Sequence, residues 1–242
     1  GCATPSVYVP ETRPLEPGRL PAPDMAIQIP GLGPCTDAPD RRLHLNAGQP
    51  VTVLVHGCKG SAGRFRSLAQ LYAFHGQQAV CFSYDDRASL VRSSGELITA
   101  LDDLFSRLHH RSLTVMGHSM GGVVARKALE RTRPDAWQRD NVDLQLSTIS
   151  APFAGIQLAE TCGSTTAQWL SLGVVPGMCR LITGDNWYEI TSASNFIRRP
   201  GPLLATVQKY LKIVTDERNT CRVQDPSGRC IESDYVFSLG EQ

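Results

Sequence analysis

The chain has 242 residues, 24 Lys and Arg against 23 Asp and Glu, and 41% apolar residues. That length supports one large domain or two small ones with a real core, and the apolar share excludes a disordered polyelectrolyte. A net charge of +1 with no basic stripe leaves no electrostatic footprint for nucleic acid, and no run reaches the roughly 18 apolar residues of a membrane-spanning helix.

The chain opens on Gly1-Cys2, which resembles the processed end of a bacterial lipoprotein, where a small residue precedes an acylated cysteine; Cys2 is the lipidation candidate. Residues 1–42 form a Pro-rich arm or tether, punctuated by Pro5, Pro10, Pro14, Pro17, Pro21, Pro23 and Pro39. Such a stretch makes neither helix nor central strand and behaves as a semi-rigid spacer or a wrapped arm.

From residue 43 to 242 the pattern is that of a catalytic domain. Val51-Thr-Val-Leu-Val55 is an apolar run suited to a strand buried on both faces. Arg64 to His75 carries Phe65, Leu68, Leu71 and Tyr72 at helical spacing and stops at Gly76. Ala79 to Tyr84 is the next strand. Ser93-Ser-Gly-Glu96 predicts a capping box opening a helix with Leu97, Leu101, Leu104, Phe105 and Leu108 on one face. Leu113 to Met116 is a strand, Val123 to Arg131 a helix, Leu144 to Ile149 a strand. This alternation predicts a mostly parallel sheet covered by helices on both faces. Residues from about 154 to 205 break it with Gly, Ser, Thr and Pro among scattered apolar side chains, so 156–205 reads as an insertion or lid. Leu211 to Thr215 resumes as a strand.

None of the eight cysteines forms a C-x-x-C pair or has a histidine at ligand spacing, so no metal site is implied. Cys221 and Cys230 bracket a polar Pro/Gly loop with nothing to bury, which predicts a disulfide staple and an oxidising compartment. Cys162 and Cys179 flank a second Gly-containing segment and are the next candidate pair. The pairing of Cys35, Cys58 and Cys81 stays open.

The chemistry concentrates in Gly117-His118-Ser119-Met120-Gly121, a G-x-S-x-G motif with a strand running in and a helix running out. Reversing from strand to helix so sharply strains the serine backbone and crowds the neighbouring chain. Gly117, Gly121 and Gly122 remove the side chains that would clash. The hydroxyl then sits at the tip of the turn, above a helix N-terminus that favours developing negative charge.

These residues resemble the α/β-hydrolase superfamily, in particular its bacterial lipase and esterase branch. Val53-Leu-Val-His-Gly-Cys58 looks like the strand and His-Gly loop that supplies an oxyanion-hole amide there. Glu96 to Leu108 falls where the helix before the nucleophile strand is expected, and Ser150-Ala-Pro-Phe-Ala-Gly155 looks like the segment following the next strand. The resemblance implies an α/β-hydrolase fold with Ser119 as nucleophile of an acyl-enzyme. It also implies an oxyanion hole from the backbone N–H groups of Met120 and Cys58. His56 and His118 occupy loop positions with positioning or packing roles.

The family order is nucleophile, acid, histidine. All six histidines here (His44, His56, His75, His109, His110 and His118) precede Ser119. Ile231 to Leu239 resembles the acid-bearing segment of lipases, which nominates Asp234, with Asp216 as the alternative acid. The missing histidine points to a chain that stops before its base. The competing explanations are a substitute upstream histidine or a catalytically inactive fold used for binding. The leading expectation is a serine esterase or lipase acting on an ester or lipid substrate with no cofactor, exported to the periplasm, the outer membrane or the medium and possessing a tether at Cys2. The alternatives are acyl transfer or thioester hydrolysis, and a hydrolase-fold binding protein.

Overall fold

A computed structural model of the chain describes residues 9–58, 60–131, 142–155, 188–216, 218, 221–233 and 239–242. Cys2, Cys162, Cys179, Asp234 and most of the expected insertion lie outside the described residues.

The first strands are short. β1 (Met25–Ile27) and β3 (Leu43–Leu45) pair antiparallel, while β2 (Leu32–Gly33) joins the central sheet. That sheet continues through β4 (Val51–Val55), β5 (Gln78–Phe82), β6 (Ser112–His118), β7 (Asp143–Ile149) and β8 (Val207–Ile213), in the order β2-β5-β4-β6-β7-β8. Only β2 runs antiparallel; the other neighbours are parallel. A parallel sheet needs both faces covered, and the alternation of β4 supplies both. Val53 and Val55 join the large core, which includes the buried faces of α2 (Leu90–Arg107) and α3 (Met120–Ala128). Leu54 turns to a smaller cluster with Cys35, Cys81, Ala62 and Ala69, beneath α1 (Arg66–Phe74).

The expected stripe of α2 is buried as read, with Leu97, Leu101, Leu104, Phe105 and Leu108 all in the core. Its start is not where the capping box put it. The helix begins at Leu90 and Ser89 caps it, accepting from the Arg92 N–H. Ser93 and Ser94 lie inside the first turns, donating back to the Ser89 and Leu90 carbonyls, and Glu96 pairs with Arg92. A carboxylate distant in sequence completes the cap: Glu189 accepts from Ser89 Oγ at 2.9 Å and from the Leu90 N–H at 2.5 Å.

The face of α1 differs in part from expectation: Phe65 and Leu68 pack against the small cluster as expected, and Leu71 does not. Ala69 and Ala73 are its buried residues, while Leu71 and Phe74 are half exposed. Small side chains let the helix sit close to β5, and the N-terminal arm runs along its far end. The Arg19 N–H donates to the Ala73 carbonyl, Gln70 exchanges two hydrogen bonds with the backbone of Glu16, and the Arg19 guanidinium lies 4.9 Å from the Phe74 ring centre. The arm is thus wrapped on the domain from residue 9 onward, and β1 and β2 fall within the segment 1–42.

Two disulfides join described residues. Cys35–Cys81 ties the loop after β2 to β5, and Cys221–Cys230 closes the hairpin of β9 (Cys221–Gln224) and β10 (Cys230–Ser233) as the sequence predicts. Cys58 is also disulfide-bonded. No helix among the described residues is long and apolar enough to cross a membrane.

Candidate active site

The site is built at the carboxyl ends of β4, β6 and β7, where the register sets Val55 beside Gly117 and His118 beside Ile149. β6 is central, so its end is braced on both sides. At that end the chain reverses into α3 through Ser119, whose backbone has φ +54° and ψ −128°. A non-glycine residue there stores about 1–3 kcal/mol and persists only where its surroundings over-determine it. Here they do. The Ser119 N–H donates to the Ile149 carbonyl at 2.8 Å, and the Ser119 carbonyl accepts from the Gly122 N–H at 2.9 Å.

The three glycines are required by contact. A Cβ on Gly117 would lie 2.4 Å from the Gly121 carbonyl oxygen. One on Gly121 would lie 2.3 Å from the carbonyl oxygens of both Val55 and His56, and one on Gly122 2.6 Å from the Ala151 Cβ. The strand end, the start of α3, the His-Gly loop and the Ser150–Gly155 segment therefore meet backbone to backbone around one residue. Ser119 is half-buried, and although it stands at the N-cap of α3 its hydroxyl does not cap the helix. Gly57 sits against it: a Cβ there would be 2.9 Å from the Ser119 Cβ and 3.4 Å from Oγ. The residue after Gly57 is Cys58 and the residue after Ser119 is Met120, the two expected amide donors.

His56 is a packing residue. Its ring is buried, stacks on Tyr84 at 4.5 Å between centres, and places Nδ1 2.9 Å from the Gly57 carbonyl. Burial holds its pKa below the ordinary imidazole value. Burial also pushes the Tyr84 phenol up, so it stays protonated and donates to the His56 carbonyl at 2.7 Å. That bond holds the loop against which Gly121 packs. His118 is exposed beside Ser119. The remaining histidines sit elsewhere: His44 in β3, His75 at the end of α1, and His109 and His110 before β6, roughly 20 Å of strand away from Ser119.

Asp216 follows β8, but its carboxylate is committed. Both oxygens accept from Arg218, at 2.9 Å from Nε and 2.6 Å from Nη2, which lowers its pKa to about 2 on an exposed loop. Sequence reading missed a polar cluster in the same layer. Ser150 is a second non-glycine residue with positive φ, at +49°; its N–H donates to the Ile213 carbonyl and its hydroxyl bonds that of Thr215. The Gln242 amide in turn accepts from the Thr215 N–H at 2.9 Å and donates to its carbonyl at 2.6 Å. Only the Ser-Ala-Pro segment hinted at this. Among the described residues no three His, Cys, Asp or Glu side chains converge to hold a metal ion.

The model of the PGAP1-like alpha/beta domain matches residues 71–165, a stretch containing the serine turn and the Ser150 loop. No curated protein matches the chain. Among solved structures, the mature form of the lipase BlEst2 from Bacillus licheniformis is 19% identical, over 83% of this chain and 74% of its own, with a TM-score of 0.51. Its propeptide form is likewise 19% identical, over 84% of this chain and 41% of its own, with a TM-score of 0.52. Esterase B from Lactobacillus rhamnosis, in a tributyrin phosphonate-inhibited form, is 14% identical over 76% of this chain and 64% of its own, with a TM-score of 0.42. The strand order with its single antiparallel neighbour, the strained serine turn and the likeness to the Bacillus lipase agree: the chain has the α/β-hydrolase fold.

Proposed function

We propose that the protein is a serine hydrolase of carboxylic esters, an esterase or lipase that works through an acyl-enzyme on Ser119. The observation that carries this is the backbone of Ser119. A residue held at φ +54° between three glycines, with a hydroxyl unused by the helix it precedes, is strain of the kind that clusters at reacting groups. Oγ attacks the ester carbonyl carbon, the carbonyl π pair moves to oxygen, and the alcohol leaves as the acyl-enzyme forms. The oxyanion is received by the N–H groups of Met120, at the first position of α3, and of Cys58. One such donor is worth about 3–4 kcal/mol of transition-state stabilisation. The disulfide at Cys58 anchors the loop that presents the second donor.

The Ser119 proton must go to a base. His56 does not serve, because burial disfavours its charged form and Nδ1 is engaged with Gly57. Asp234 is the proposed acid. Asp216 is the weaker candidate, since Arg218 already occupies both its oxygens. A second reading is a binding protein built on an inactive hydrolase fold. Transfer of the acyl group to another acceptor, or thioester hydrolysis, would proceed through the same intermediate. The disulfides support an oxidising compartment, and we place the protein among exported proteins. Hydrolysis of p-nitrophenyl butyrate tests the reading. Saturable turnover by the wild type that Ser119→Ala abolishes supports the esterase, and no turnover by a folded wild type favours the binding protein.

A further inference from the structure

Beside the His56 loop lies a cleft of about 810 Å³. Its lining includes Asp37, Ala38, Ser61, His56, Tyr84 and the guanidinium-bearing Arg41. Arg41 is half-buried. Nη1 donates to the Thr36 carbonyl at 2.6 Å and Nη2 to Ser83 Oγ at 3.2 Å. A guanidinium has five N–H donors, so three are left without an acceptor among the described residues. The nearest acid, Asp37, does not take them. Its two oxygens accept from the N–H groups of Gly63 at 3.0 Å and Glu11 at 2.8 Å, and it offsets the Arg41 charge only through space.

The guanidinium is also given room. A Cβ on Gly33 would fall 2.4 Å from Cζ, Nε and Nη2 of Arg41, so the arginine lies flat over a residue that has no side chain. The two hydrogen bonds fix the orientation of the plane, and burial disfavours its charge. A held, partly desolvated cation with spare coplanar donors in a cleft is complementary to a planar or tetrahedral oxyanion, which it can grip with paired N–H bonds.

We propose that this cleft is an anion-binding site in which Arg41 receives the carboxylate or phosphate group of an organic ligand. Anion binding there does not require Ser119 to react.

Calorimetric titration of inorganic phosphate and of succinate into the full chain tests it, alongside Arg41→Gln, Arg41→Lys and Ala38→Glu. Ala38 lines the same cleft, so a carboxylate introduced there competes with an incoming anion for Arg41 without removing the guanidinium. The wild type should bind at least one anion saturably, Arg41→Gln should weaken that binding tenfold or more, Arg41→Lys should retain part, and Ala38→Glu should abolish it at unchanged Tm. Co-sedimentation with phosphatidylglycerol vesicles, against phosphatidylcholine, separates the sources. Vesicle binding lost in Ala38→Glu assigns a lipid headgroup, and phosphate or succinate binding without vesicle binding assigns a soluble anion. No saturable binding of either anion or of anionic vesicles by the folded wild type, or wild-type affinity in Ala38→Glu, overturns the proposal.

Discussion

Exchanging Ser119 for glycine and, separately, for alanine isolates the energy held in the turn. Alanine keeps a Cβ at φ +54° and ψ −128°, where an L side chain costs about 1–3 kcal/mol. Glycine removes that cost but brings a freer unfolded chain, worth about 0.5–1 kcal/mol against it. The hydroxyl makes no capping bond, so its loss weighs little in either variant. The difference leaves Ser119→Gly more stable than Ser119→Ala by about 1 kcal/mol, or roughly 2–4 °C in Tm for a domain of this size. Equilibrium urea unfolding without reductant, followed by far-ultraviolet circular dichroism, measures it. In an ordinary helix the order is reversed, with alanine ahead by about 1 kcal/mol. That reversed order in these variants would refute the strained turn.

Other outcomes follow from the same contacts. Glu189→Ala removes the carboxylate that accepts from Ser89 and Leu90 at the start of α2, and should cost about 1–2 kcal/mol in urea unfolding; an unchanged midpoint would show the cap to be redundant. Replacing Cys35 and Cys81 by serine opens a closure 46 residues apart, and replacing Cys221 and Cys230 opens one 9 residues apart. Chain entropy assigns these about 4 and about 2.6 kcal/mol, so the first pair should lower stability more. His56 has a pKa lowered by burial, so the unfolded chain binds its proton first. Its contribution is complete above about pH 6.5 and is lost as pH falls, with a slope of up to about 1.4 kcal/mol per pH unit. Unfolding at pH 7, 6 and 5 should show that slope in the wild type and less of it in His56→Gln.

Local patterns carried much of this architecture. The apolar run 51–55 and the stripe from Leu97 to Leu108 have one way to be buried, and the Gly-His-Ser-Met-Gly turn is legible because its glycines answer to backbone contacts within a few residues and across one strand. Features set by distant partners were not legible. Glu189 caps α2 from about a hundred residues away, so the nearer Ser93–Glu96 pattern looked like the cap. Cys35 and Cys81 meet only because β2 and β5 pair. The stripe on α1 is right at Phe65 and Leu68, which pack against the small cluster, but not at Leu71, because Ala69 and Ala73 supply the helix's fully buried contacts. The Ser150, Thr215 and Gln242 cluster joins three separate segments and has no spacing signature. Asp216 stood in the right place after a strand, yet the partner that commits it, Arg218, is a matter of side-chain geometry.

The claim on which the rest depends is that the Ser119 hydroxyl is an activated nucleophile. Treating the folded chain with a fluorophosphonate and mapping the adduct by mass spectrometry tests it directly. The account predicts one adduct, on the peptide containing Ser119, absent from Ser119→Ala. No adduct on the folded wild type, or an equal adduct in Ser119→Ala, would contradict it.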